Sequence, residues 1–100
     1  MIVVEASGLV YFRVYRPGVA SMEVRGDFTG WSDRPIRLRP EGDGWWSGRS
    51  AVPPGDHLFS YVVDGESWFP DYAAHGIKAN GFGGWVSQLH VAAELAARAA

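Results

Sequence analysis

The sequence predicts an all-β domain in which two antiparallel sheets pack as a sandwich. Apolar and polar residues alternate over several short runs, as in half-buried strands, and turn-forming Gly, Pro and Asp separate these runs about every 8–12 residues. No long stretch has the period of a helix, which excludes a parallel sheet with crossover helices. The 100 residues suit one domain over 1–92, and the ending "AAELAARAA" predicts a short helical tail over 93–100.

Three strands and a candidate edge strand are predicted in the first half of the chain. Residues 9–16 alternate in polarity, and "RPGVAS" then turns the chain into a second alternating run at 22–26. A third run at 36–38 ends at "PEGDG", whose residues tolerate the positive φ angles of tight turns. Residues 2–5 form a candidate edge strand.

Three further strands are predicted at 45–52, 57–63 and 85–91. The dipeptide "DG" after the second of them predicts a short hairpin. His57 is expected to cap the preceding turn, and "YAAHGIKAN" is expected to be a loop. Across all strands, the residues directed inward are Phe12, Val14, Val24, Leu38, Trp46, Phe59, Tyr61, Val63 and Leu89.

Charge and composition make several classes of partner improbable. The formal net charge of −2 offers no attraction for nucleic acid, and no run approaches the roughly 20 apolar residues of a membrane span. The start "MIVVEASGL" lacks a basic leader, so no signal peptide is expected. The absence of cysteine fits a reducing cytoplasm. No cofactor or metal motif is present, so neither is expected.

Tryptophan is abundant, and one indole lies in a segment that is expected to be exposed to solvent. Trp31 lies within "GDFTGWSDRPIRL", a run that is typical of a turn. An exposed indole can stack on the apolar C–H face of a sugar, contributing roughly 1–3 kcal/mol by analogy with base stacking. The alternative is a plug over the end of the sandwich. Trp68 is likewise a second stacking ring or a loop anchor, and Trp85 either adds a contact near Trp68 or covers the edge of the core.

Four segments in order carry a resemblance that spans roughly Val10 to Val91. They are "VRGDFTGWSDRPIRL", "GWWSGRSAVPPGDHLFSYVVDG", "ESWFPD" and "NGFGGWVSQLHV". Together they resemble the family-48 carbohydrate-binding modules, which are the early-set, immunoglobulin-like domains of isoamylases and glycogen branching enzymes. The glycogen-binding domain of the AMP-activated protein kinase β subunit is similar. The resemblance implies an immunoglobulin-like sandwich that binds an α-1,4-glucan such as glycogen or starch.

The resemblance also implies which residues would contact the sugar. The two stacking tryptophans of the family fall on Trp31 and Trp68. The family lysine falls at Ser60 and the family asparagine at Val86, so both polar contacts are lost. The predicted carbohydrate-binding residues are Trp31, Trp68, Lys78, Asn80 and Ser87, with the last three as hydrogen-bonding groups.

One other class of function, a binding module for another protein, remains as the alternative to glucan binding. A protein-interaction or regulatory module would use the outward residues of the other sheet, which are Tyr11, Tyr15, Trp45 and Arg49. Its partner would be a glycogen-metabolising enzyme or another protein. An enzyme is not expected, because a glycosidase needs two carboxylates across a cleft and the acidic residues here stand in turns, where Asp bonds its own backbone.

Overall fold

The structure is a computed structural model that describes residues 1–81 and 83–93, and these form two antiparallel sheets packed face to face. The predicted all-β, immunoglobulin-like sandwich is therefore confirmed. From residue 94 onward, the helical tail predicted over 93–100 lies outside the described residues.

The strands follow one another closely along the chain. In order, the described residues form β1 (Ile2–Val4), β2 (Leu9–Tyr15), β3 (Met22–Gly26), a 3₁₀ turn (Asp27–Thr29), β4 (Ile36–Arg37), β5 (Arg39–Pro40), β6 (Trp45–Ala51), β7 (Gly55–Val63), β8 (Ser67–Phe69), β9 (Gly76–Ala79) and β10 (Trp85–Val91). The four-stranded sheet has the order β1-β2-β6-β5. The six-stranded sheet has the order β4-β3-β7-β10-β9, and β8 pairs with β7.

The single strand predicted at 36–38 is wrong, because the chain changes sheets there. Ile36 pairs with Val24 in the six-stranded sheet, and Arg39 pairs with Ser47 in the four-stranded sheet. Leu38, between them, is buried, and its N–H donates to the Met22 carbonyl at 2.9 Å. Residues 36–40 therefore pass from one sheet to the other and cover the core at that side of the sandwich.

The core lies between the sheets and is centred on three aromatic rings. Phe59 packs edge-to-face against both Phe12, at 5.4 Å between ring centroids, and Tyr61, at 5.7 Å. Of the residues predicted to face inward, all belong to the buried cluster except Val14, which is half-buried at its margin, one residue from the end of β2. The buried cluster is Ile2, Val10, Phe12, Met22, Val24, Leu38, Trp46, Val52, Phe59, Tyr61, Val63, Leu89 and Val91.

Two short strands, β8 and β9, have no counterpart in the prediction. β9 lies within "YAAHGIKAN", so the loop predicted there is wrong. It pairs along β10 from Trp85↔Ala79 to Gln88↔Gly76. His57 lies within β7, as the strand predicted at 57–63 requires, and its Nε2 atom lies 2.8 Å from the Pro53 carbonyl oxygen of the preceding turn, as expected for a cap. In β8 and β9, apolar and polar residues do not alternate cleanly. Their conformation is determined by pairing to a neighbouring strand rather than by burial of one face.

Candidate functional site

A groove of about 880 Å³ lies on the outer face of the six-stranded sheet. Two strands pair with the same side of β7. Strand β10 pairs with the first half of β7, up to Ser87↔Phe59, and strand β8 pairs with the second half of β7, from Phe69↔Tyr61 onward. The two strands therefore meet end to end beside Ser60. The groove follows this junction, and five aromatic residues are among those that line it.

Trp31 is brought to the groove by a tight turn with unusual backbone angles. Gly30 and Trp31 both have left-handed φ angles, of 62° and 58°. The Trp31 N–H donates to the Gly26 carbonyl at 2.8 Å, while the Thr29 hydroxyl accepts the Gly26 N–H at 3.0 Å. A bulky residue with positive φ carries backbone strain of about 1–3 kcal/mol, and such strain clusters at functional sites.

Gly26 explains why this turn can sit so close to the sheet. A Cβ atom at this position would lie 2.6 Å from the Leu58 carbonyl oxygen, which is inside van der Waals contact. Only glycine therefore permits β3 and β7 to approach here and the turn to fold back over the outer face.

Trp68 meets Trp31 on the same flank of the sheet. Trp68 stands on β8 opposite Val62, and its ring centroid lies 6.5 Å from that of Trp31, with the planes inclined by 44°. Trp68 is 48% exposed, whereas Trp31 is half-buried. The two predicted stacking residues are therefore adjacent, and neither lies in the core.

An arginine that the sequence analysis did not single out supports Trp68. The Arg25 guanidinium lies over the Trp68 ring at 5.2 Å from its centroid. It is held by an ion pair with Glu23 and by the Ser32 hydroxyl at 3.2 Å. Because Arg25 pairs with Ser60 across β3 and β7, the strand register would have revealed this contact, but a single sequence does not supply that register.

The polar candidates divide between the groove and the core. Lys78 is exposed and lines the groove, opposite Val86 in the register of β9 and β10. Asn80 also lines it, but its side-chain oxygen accepts the Gly84 N–H at 3.1 Å and so ties Asn80 to Gly84. Ser60, where the family lysine would fall, is 2% exposed and forms the floor.

Ser87 does not belong to the groove, and its expected sugar contact is a mistaken prediction. It is fully buried, and its hydroxyl accepts the Asp71 N–H at 2.7 Å. In β10 it faces the same side as Leu89 and Val91, which are core residues. A side chain without exposed surface cannot touch a ligand on the outer face.

Three further aromatic residues line the groove, and two of them, Trp85 and Tyr72, are exposed. Trp85, whose position the sequence left open, is 51% exposed and lines the groove, and Tyr72 is 74% exposed beside it. Tyr72 follows the buried residues Pro70 and Asp71, so the segment is anchored while its ring projects outward. Sequence reasoning missed Tyr72, although its place directly after the "P-D" pair was a usable signal.

A buried carboxylate holds this wall to the core. Asp71, 4% exposed, accepts the Tyr61 hydroxyl at 2.6 Å and the Ala73 N–H at 2.9 Å, and the Met1 ammonium also contacts it. Burial of Tyr61, reinforced by the adjacent Asp71 carboxylate, raises the pKa of the Tyr61 hydroxyl well above its usual value. The hydroxyl therefore stays protonated and keeps donating to Asp71.

Within residues 1–81 and 83–93, no three His, Asp or Glu side chains are grouped so that they could hold a metal ion. The same part of the chain contains no helix long and apolar enough to span a bilayer.

Comparison with known proteins supports the fold. No family model matches the chain. Among solved structures, the chain is similar to the crystal structure of a "putative alpha amylase" from Salmonella typhimurium, with 24% identity and a TM-score of 0.59. The match covers 73% of this chain and 12% of the Salmonella chain, so the domain corresponds to a small part of that protein. At this identity the likeness establishes the β-sandwich fold alone.

Proposed function

We propose that this chain is a non-catalytic module that binds α-1,4-glucans, such as glycogen and starch-like oligosaccharides. The observation that carries the proposal is the contact between Trp31 and Trp68 at 6.5 Å, on the outer face of one sheet and within an open groove. The family-48 resemblance puts the same two residues in the same role.

The geometry of the two rings suits a curved sugar chain. The axial C–H faces of pyranose rings are apolar, and an indole covers them with little loss of side-chain entropy. Each stacking ring contributes roughly 1–3 kcal/mol, by analogy with base stacking. The planes are inclined by 44°, so two glucosyl units stacked on them would bend relative to each other, as successive units of an α-glucan do. An open site of this size predicts binding in the micromolar to millimolar range.

Lys78 supplies the hydrogen-bond donor that Ser60 does not. The family lysine would fall on β7, but here the exposed ammonium approaches the groove from β9. In this proposal Lys78 donates to sugar hydroxyls, and Asn80, tied to Gly84, lines the same groove. The name of the structural neighbour, an alpha amylase, agrees with a glucan as the ligand.

The residues lining the groove favour binding rather than hydrolysis. Among the described residues that line it, none is Asp or Glu, and glycoside hydrolysis requires a pair of carboxylates about 5–9.5 Å apart. We therefore propose that the module has no enzymatic activity. A cytoplasmic location is part of the same proposal and rests on the cysteine-free sequence.

A saccharide titration with one matched control tests the proposal. β-Cyclodextrin or maltoheptaose is added to the protein, and binding is followed by intrinsic tryptophan fluorescence and calorimetry. Saturable binding that is lost in Trp31→Ala and Trp68→Ala is expected. Trp45→Ala removes an indole from the opposite sheet and should bind as the parent does. A flat response of the folded parent, or an equal loss in Trp45→Ala, would contradict the proposal.

A specific observation favours a protein-interaction module as the second candidate. On the outer face of the four-stranded sheet, Arg13 lies 3.9 Å from the centroid of the Trp45 ring and Arg49 lies 4.5 Å from that of Tyr11. Tyr15 beside them is 54% exposed. Arginine, tryptophan and tyrosine are the residues enriched at interfaces. Self-association in sedimentation velocity that Tyr15→Glu abolishes, together with a flat saccharide titration, would support this candidate instead.

A further inference from the structure

A second groove, of about 500 Å³, adjoins the aromatic groove on the same face of the six-stranded sheet. Leu58 and Lys78 line both of them. Leu58 is half-buried and provides apolar surface that the two grooves share. The second groove is otherwise polar, with histidine, aspartate and glutamine side chains along its walls.

The strand register orders the two grooves along one line. In β10 the outward residues are Val86, Gln88 and His90, and they pair with Lys78, Leu58 and Asp56 of the neighbouring strands. From Val86 to His90 the strand advances four residues, roughly 14 Å. This distance exceeds the width of one pyranose ring, so the second groove lies where further units of a bound chain would pass.

Two histidines in the second groove have defined hydrogen-bonding roles. The His75 Nδ1 atom accepts the backbone N–H of His90 at 2.9 Å, so the neutral His75 ring carries its proton on Nε2 and can donate there. The His90 Nδ1 atom lies 2.7 Å from the Asp56 carboxylate, so it donates, and in the neutral ring Nε2 accepts. The His90 side chain is 62% exposed.

Gln88 is placed between these groups by a glycine on the adjacent strand. A Cβ atom at Gly76 would collide with the Gln88 side-chain oxygen. Because Gly76 has no side chain, the Gln88 amide can lie across β9. An amide offers both a donor and an acceptor. With Lys78 and the two histidines, it gives the groove both donors and acceptors.

The remaining histidine and aspartate of this groove support its wall. The His57 ring nitrogens contact the Asp27 carboxylate at 2.7 Å and the Pro53 carbonyl at 2.8 Å. Asp27 also accepts the Leu58 N–H at 3.0 Å. Both ring nitrogens of His57 are thus engaged within the protein, and this pair fixes the apolar surface at Leu58.

We propose that the groove formed by His75, Gln88 and His90 is a polar subsite for the same saccharide chain that stacks on Trp31 and Trp68. This inference rests on the proposed function. Adjacent hydroxyls of a glucosyl unit present a donor and an acceptor side by side, which matches His75 Nε2–H, the Gln88 amide and His90 Nε2. The domain therefore binds a chain of several glucosyl units along the sheet rather than one or two units at the tryptophans.

The test measures how affinity depends on chain length. Calorimetry compares maltotriose with maltoheptaose in the parent and in the double variant Gln88→Ala/His90→Ala, and amide NMR spectra check that each protein is folded. In the parent, maltoheptaose should bind more tightly than maltotriose. In the double variant, the ratio of the maltoheptaose affinity to the maltotriose affinity should be about fivefold smaller than in the parent. The affinity for maltotriose itself should not change. Part of the gain in affinity from maltotriose to maltoheptaose is statistical, because a longer chain can bind the same site in more positions. The variant retains that part.

Arg49→Ala is the matched control, since it removes an exposed polar side chain from the opposite sheet. It should behave as the parent with both sugars. In a second measurement, maltoheptaose but not maltotriose should shift the amide signals of Gln88 and His90. If maltotriose binds but the double variant keeps the full gain with length, the polar subsite is refuted and the proposed function stands. If neither sugar binds the folded parent, both are refuted.

Discussion

The guanidinium of Arg25 lies 5.2 Å from the centroid of the Trp68 ring, and the Glu23 carboxylate holds it there. Arg25 and Glu23 are outward residues of β3, whereas Trp68 belongs to β8 on the far side of β7. The arginine therefore extends across the central strand to support a ring of the candidate site.

Arg25→Ala should weaken glucan binding with little loss of stability. Without the guanidinium, the Trp68 ring loses a cation–π contact of about 0.5–1 kcal/mol and more of its rotamers become accessible. We expect the affinity for maltoheptaose to fall by about two- to fivefold, as measured by calorimetry. Arg49→Ala removes a similar arginine–aromatic contact, with Tyr11 on the other sheet, and should leave the affinity unchanged. Equal weakening in both variants would disprove a specific role for Arg25.

Substitutions at Trp31 should separate backbone strain from ligand contact. Trp31 has a φ of 58°, a region that costs a residue with a Cβ atom about 1–2 kcal/mol and costs glycine little. Trp31→Gly should therefore be more stable than Trp31→Ala by about 1 kcal/mol in urea unfolding. Both variants should lose saccharide binding, because both lose the ring. If the alanine variant were the more stable of the two, the left-handed turn would be refuted.

Gly26→Ala should destabilise the domain more than Gly18→Ala does. The added Cβ at Gly26 would lie 2.6 Å from the Leu58 carbonyl oxygen, whereas at Gly18 nothing lies within 4 Å and only the φ of +76° opposes alanine. We expect Gly26→Ala to lose about 1–3 kcal/mol through overpacking and to weaken saccharide binding as the Trp31 turn shifts. Thermal unfolding and calorimetry measure the two effects. A smaller loss in Gly26→Ala than in Gly18→Ala would contradict the close approach of β3 and β7.

Stability should fall at alkaline pH because of Tyr61. Burial raises the pKa of Tyr61 in the folded protein, whereas in the unfolded chain it titrates near its usual value of about 10. The folded state therefore binds more protons above that pH. The stabilisation is complete below pH 10, and it decreases by about 1.4 kcal/mol per pH unit above it.

Tyr61→Phe is the variant that isolates this contribution. It removes the titrating group, so the alkaline decrease should become smaller in urea unfolding between pH 9 and pH 11. At neutral pH the variant should lose about 1–3 kcal/mol, since Asp71 then lacks one hydrogen-bond donor. An unchanged alkaline slope would show that Tyr61 does not cause the decrease.

Alternation of apolar and polar residues was enough to predict most of the sandwich. The last strand was predicted at 85–91, as observed for β10. The "DG" signal also matches a hairpin, since Asp64 and Gly65 have φ angles of 52° and 73° and β7 pairs with β8 across them. Such features depend on local preferences and on burial of one face, and both can be inferred from neighbouring residues.

The change of sheet at Leu38 could not be inferred in this way. Ile36 and Leu38 alternate with arginines whether the segment stays in one sheet or crosses to the other, because an inward position faces the same core in either case. Only the pairing partners, Val24 on one side and Ser47 on the other, distinguish the two arrangements. Neither pairing can be read from the alternation of apolar and polar residues within 36–40 alone.

Four of the five residues predicted to contact a sugar lie together in the structure, and the exception has a simple cause. Trp31, Trp68, Lys78 and Asn80 do line one groove. Ser87 does not, and the alternation that directs Leu89 inward already directs Ser87 inward as well. A sugar contact requires an exposed side chain, and the alternation along the strand already contradicted that requirement. Arg25, by contrast, depends on cross-strand register.

β8 carries Trp68 but is attached to the sheet, among the described strands, by three residue pairs to β7 alone. A segment held so lightly detaches from the sheet at a low free-energy cost, so its amide hydrogens should exchange with deuterium early. A sugar chain lying across both indoles would fasten this segment to the Trp31 turn. Occupancy of the site would then appear as slowed deuterium uptake in Ser67–Phe69, while uptake in β2 stays as it was.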